Sequence, residues 1–92
     1  MDKTVQGSRI ECEAQCILNF NGVDLHGVIE NLSVSGALIK LNDERPDSIQ
    51  AGDTCDMIFS SNPDAYPVKY TSKVVRLDSA LIGIEFLELN MI

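Results

Sequence analysis

From residue 10 to residue 20 every even position is apolar (Ile10, Cys12, Ala14, Cys16, Leu18, Phe20), and every odd position except Ile17 is polar. Side chains that alternate with a period of two point to opposite faces of an extended chain. The run therefore predicts one long strand with a buried face and a wet face. Asn21-Gly22 follows at once. Both residues tolerate positive φ, which the tight two-residue turns of β-hairpins require. A strand that ends in such a turn commits the first quarter of the chain to antiparallel sheet, and the rest has to join it.

The remaining pattern does join it. A second strand is predicted over Val23–Leu32, with Gly27 marking a bulge. A third covers residues 37–41, a fourth Thr54–Phe59 with Cys55, Met57 and Phe59 inward, a fifth Val68–Leu77 and a sixth residues 81–87. Residues 88–92 read either as one helical turn or as a strand end. The links are punctuated by Gly36, Pro46, Gly52, Pro63, Pro67 and Asp78-Ser79. Six strands, short links and no helical period predict an all-β fold, a small six-stranded antiparallel β-barrel, since closure removes exposed sheet edges. The 92 residues suffice for one domain. Residues 9–92 are assigned to the barrel and residues 1–8 to a flexible N-terminal tail.

Charge narrows the partners. Fourteen acidic residues against seven basic ones give a formal charge of -7. Binding to DNA or RNA needs clustered Lys and Arg on phosphates, so nucleic acid polymers are not expected partners. No apolar run approaches the roughly 20 residues of a membrane span, and the N-terminus has no secretory pattern, so a cytoplasmic location is expected. Cys12, Cys16 and Cys55 read as reduced thiols, two of them on the buried face of the first strand. One histidine and no close cysteine pair argue against structural zinc.

Catalytic constellations are weak. His26 and Asp24 share a strand face, but no serine or cysteine is set up beside them as a nucleophile. Glu11 and Glu13 are about 6–7 Å apart on an exposed face, where nothing separates their pKa values. Asp43, Glu44 and Asp47 lack calcium-loop spacing, and no phosphate-binding glycine loop occurs. The reading is a binding or signalling module and not an enzyme, with no cofactor. Attention falls instead on Asn31-Leu32-Ser33-Val34-Ser35-Gly36 between the second and third strands. Its Asn and Ser side chains can bond nearby backbone and still present polar atoms, and Gly36 is expected to adopt a φ that other residues resist.

Asn31-x-Ser33-x-x-Gly36 resembles the (Asp/Asn)-x-Ser-x-x-Gly motif of PilZ domains, bacterial receptors for the second messenger cyclic di-GMP. Its setting is similar too. It follows a long amphipathic strand and a Gly-Val-Ile-Glu strand and precedes Ala37-Leu38-Ile39-Lys40. Ala51-Gly52-Asp53, Lys73-Val74-Val75-Arg76 and Gly83-Ile84-Glu85-Phe86-Leu87 look like the family's later steps. The resemblance covers about residues 9–90 and implies a PilZ-like split barrel. It implies cyclic di-GMP as a signalling ligand, with Arg9, Asn31, Ser33, Ser35 and Gly36 as the ligand-binding residues. In the family an Arg-x-x-x-Arg pair grips phosphates and guanines. Arg9 matches its second arginine, but Val5 stands where the first would be, and Lys3 is the only basic residue upstream. Two expectations follow from the resemblance. One is a receptor that relays cyclic di-GMP binding to a protein partner. The other is a divergent domain that has lost nucleotide binding and acts as a protein-interaction adaptor in motility, pilus or biofilm control.

Overall fold

The computed structural model describes residues 10–11, 14–60, 64 and 66–91. The predicted tail, residues 1–8, lies outside these, as do Arg9, Cys12 and Glu13. Seven strands are formed: β1 (Ile10–Glu11), β2 (Gln15–Phe20), β3 (Val23–Leu32), β4 (Gly36–Leu41), β5 (Thr54–Phe59), β6 (Val68–Leu77) and β7 (Leu81–Met91). All pair antiparallel. The ladder runs β3-β2-β5-β6-β7-β4, and β4 returns to pair with β3. Six strands thus close a barrel, as the pattern predicted, and β1 extends the β3 ladder.

Several predicted details change, each for a local reason. The single first strand is two strands. β1 pairs Glu11 with Asn31, and β2 pairs Gln15 with Val28. Three positions therefore separate the two pairings on this side and only two on β3, so one uninterrupted ladder cannot hold. Gly27 is not a bulge, because it pairs in register with Cys16 and Leu41. Its missing side chain is a packing requirement: a Cβ there would meet the Lys40 carbonyl oxygen at 2.7 Å and Ile39 Cγ2 at 2.9 Å. The bulge lies further on, where the β3–β4 register shifts between Ile29 and Asn31. Finally, β7 continues as strand to Met91 and takes no helical turn.

The even-position pattern of β2 buries Cys16 and Leu18 against Ile29, Ile39, Cys55, Met57, Val74, Ile82 and Ile84. Leu18, Ile29, Ile39, Met57 and Ile82 are fully enclosed. Burial of side chains of this size stabilises the fold by about 1.5–3 kcal/mol each. Ile49, from the connection between β4 and β5, is buried in the same cluster. Phe59, Tyr70 and Phe86 pack on its margin as a stack, with ring centroids 6.3 and 4.2 Å apart. The Asn21-Gly22 turn has φ of 53° and 92°, the left-handed pair that its sequence predicts.

Candidate functional site

The turn between β3 and β4 is built around one hydroxyl. Ser33 Oγ accepts the backbone N–H groups of Ser35 (3.3 Å) and Gly36 (3.2 Å), and it lies 3.2 Å from the Gly36 carbonyl and 3.3 Å from Ser35 Oγ. The Ser33 amide closes the same turn on the Gly36 carbonyl at 2.9 Å. Short polar side chains favour such turns because they give backbone donors a local acceptor. Ser33 therefore shapes the loop with the same oxygen that a ligand would need.

Gly36 is required for a different reason from the one expected. Its φ is not positive. A Cβ at Gly36 would collide with the carbonyl oxygen of Ile84 and lie 3.3 Å from Glu85 Cα. The glycine allows β4 to press against β7, and the space a side chain would take is filled by protein backbone. Ser35 is exposed, its carbonyl accepting the Phe86 amide at 2.8 Å, and Val34 at the tip is 86% exposed. Asn31 follows the β3 bulge and pairs with both Glu11 and Leu38. Bulges re-aim the neighbouring side chains. The Asn31 side-chain amide, which carries both donors and an acceptor, makes no hydrogen bond among the described residues.

These residues edge an open groove of about 450 Å³ on the outer wall of the barrel. From Asn31, Ser33, Ser35 and Gly36 the groove passes Leu38 and crosses Gly83 and Glu85 of β7. It ends on Val75 and Arg76 of β6. The structure thus brings together four of the five residues expected to bind a ligand, while Arg9 lies outside the described residues. It also adds four that the sequence reading took only as strand: Val75, Arg76, Gly83 and Glu85. Two signals pointed there. The apolar parity of β6 breaks after Val74, and a glycine inside an apolar strand marks a close approach. The cause is a register shift between Val74 and Arg76 that pairs Arg76 with Gly83. The arginine stem lies across the glycine, with Cβ 3.0 Å and Cγ and Cδ 3.8 Å from where a Cβ of residue 83 would be. Arg76 Nε donates to Asp78 Oδ2 at 2.9 Å.

Asp24 accepts from Asn19 Nδ2 at 2.6 Å, so its carboxylate is held across the hairpin. Cys16 and Cys55 are buried. Burial, with Asp56, Asp53 and Cys16 nearby, pushes the Cys55 thiol up to about 12, so it stays protonated and unreactive at neutral pH. Among the described residues no three His, Cys, Asp or Glu side chains converge as metal ligands.

Comparison with known proteins points to a family. A model of the PilZ domain matches residues 4–92. Among solved structures, the chain is similar to the PilZ domain of CeSA from a cellulose synthesizing bacterium. The TM-score is 0.74 at 17% identity, over 89% of this chain and 82% of that one. At that identity the likeness is one of fold. No curated protein matches. With the family model matching all but the first three residues, and with six strands closing the barrel that it implies, the chain belongs to the PilZ domain family of cyclic di-GMP receptors.

Proposed function

We propose that this chain binds cyclic di-GMP in the groove beside the Asn31-x-Ser33-x-x-Gly36 turn and relays that binding to a protein partner. The observation that carries the reading is the Asn31 side chain at the edge of an open groove, with no hydrogen bond to any described residue. A volume of about 450 Å³ falls within the usual range for small-molecule sites, about 300–1,000 Å³. The amide of Asn31 offers a donor and an acceptor to a guanine edge, Ser33 keeps the turn in shape, and Ser35 presents a hydroxyl. Arg9 supplies a guanidinium for a phosphate, the charge-assisted fork that suits it best. Binding so divided between the barrel and the segment before it changes the surface that a partner meets.

The test is calorimetric titration of cyclic di-GMP into the whole chain, with Arg9→Ala and Asn31→Ala alongside. Micromolar binding is expected. Loss of Arg9 removes a charge-assisted contact worth about 1.5–3 kcal/mol, or roughly 10- to 150-fold in affinity. Loss of the Asn31 amide removes neutral hydrogen bonds worth about 0.5–1.5 kcal/mol each. A second reading rests on Val5 and on the acidic groups Glu85 and Asp78 near the groove. In it the domain is an adaptor whose acidic surface steers a basic protein partner. Absence of heat up to about 100 µM ligand, a Kd beyond which binding is weaker than about -5.5 kcal/mol, decides for the adaptor.

A further inference from the structure

We infer that Arg76 is a second phosphate-binding arginine of the groove, and that Asp78 and Gly83 hold it ready for that role. The inference rests on the proposed binding of cyclic di-GMP and names a residue outside the Asn/Ser turn and the N-terminal segment. Three features set Arg76 apart. Among the described residues that line the groove it is the only arginine or lysine. Its stem is seated on Gly83, where any side chain would crowd it, because the bulge on β6 brings the two into register. Among the described residues its guanidinium is anchored through Nε, which donates to Asp78 Oδ2 at 2.9 Å. An arginine has five N–H donors in a fixed fork. With Nε engaged, the two terminal amino groups keep four, and they make no hydrogen bond among the described residues. That is the edge that meets a phosphate in two parallel bonds.

Asp78 positions this fork without trapping it. Both side chains are well exposed, at 63% and 50%. Ion pairs exposed to water are weak, so a phosphate can draw the guanidinium over at little cost. The other charges that face the group are consistent with this. Glu85 also lines the groove, but it lies directly opposite Lys73 across the β6–β7 ladder, which offsets its repulsion of an anion. The chain therefore has two guanidinium groups for a ligand with two phosphates, Arg9 from the segment before β1 and Arg76 from β6. Val5 stands in the sequence where the first motif arginine would be, and Arg76 supplies a cation from β6.

The experiment is a titration of cyclic di-GMP into the whole chain carrying Arg76→Ala, Arg76→Lys, Asp78→Asn or the pair Arg76→Ala with Asp78→Asn. Each variant is first checked for an unchanged melting temperature. Arg76→Ala is expected to weaken binding by roughly tenfold or more, and Arg76→Lys to recover only part of it, because charge returns without the fork. Asp78→Asn is expected to weaken binding by roughly two- to fivefold in the wild-type background, and not at all once Arg76 is alanine. A purely structural Asp78 would cost the same in both backgrounds. Wild-type binding that Arg76→Ala leaves within about twofold overturns the assignment and spares the proposed function. No binding by the wild-type chain overturns both.

Discussion

Gly36 and Ser33 stand three residues apart in one turn, and they do different work. The hydrogen of Gly36 that a side chain would replace faces the Ile84 carbonyl, and neither group can move away without parting β4 from β7. Forcing a methyl group into a packed contact costs about 1–3 kcal/mol. Ser33 contributes an acceptor to two amides at the surface, and hydrogen bonds of that kind contribute about 0.5–1.5 kcal/mol each. The glycine is thus expected to matter more for folding than the serine does. In urea titrations Gly36→Ala should lose about 1–3 kcal/mol, Ser33→Ala about 1 kcal/mol, and Ser33→Thr, which keeps the hydroxyl, clearly less than Ser33→Ala. Equal losses for Gly36→Ala and Ser33→Ala would mean that β4 and β7 can separate more easily than their geometry allows.

At the scale of the strands, the groove exists because the ladder is irregular. β6 carries one residue more than β7 between the pairs Val74↔Ile84 and Arg76↔Gly83. That extra residue, Val75, is half exposed, and the shift delivers Arg76 onto a glycine. Gly83→Ala is the sharpest probe of this arrangement. Its new Cβ would lie 3.0 Å from Arg76 Cβ, so the arginine stem must give way. Stability should change by no more than about 1 kcal/mol, the span of cross-strand pair effects, whereas affinity for cyclic di-GMP falls several-fold. A variant that binds like wild type would show that the arginine needs no seat. The same irregularities explain what could and could not be read from the sequence. Asn21-Gly22 and the even positions 16–20 announced the hairpin and its buried face, because turn and period are local properties. Apolar residues switch from even to odd between Phe86 and Leu87, where β7 has its own register shift. A parity break flags a bulge, but it does not say which residue of another strand the shift brings opposite. Arg76 over Gly83 and Gly36 against Ile84 depend on pairings between segments far apart in the chain. The Asn31 turn was legible because its residues are contiguous.

For the molecule as a whole, the barrel interior makes stability depend on alkaline pH through Cys55. The thiol is enclosed, and burial, with Asp56, Asp53 and Cys16 nearby, raises its folded-state pKa from 9.0 to about 12. An unfolded chain releases the same proton near the ordinary value. Between these limits the folded state holds more protons than the unfolded state, so unfolding becomes more favourable as pH rises. The contribution of the neutral thiol is therefore fully present below about pH 9 and is lost progressively towards about pH 12. One proton of difference corresponds to at most about 1.4 kcal/mol for each unit of pH in that window. The informative quantity is the difference between wild type and Cys55→Ala, in which everything the two chains share cancels. At neutral pH the variant should be the less stable of the two, since removing a buried sulfur leaves a small void. The gap should narrow from about pH 9 upward as wild type alone incurs the cost of keeping its thiol protonated. Urea unfolding at steps from pH 7 to 11 measures both curves. Parallel curves over that whole range would mean that the Cys55 thiolate is tolerated inside the barrel, which a dry core next to two aspartates does not permit.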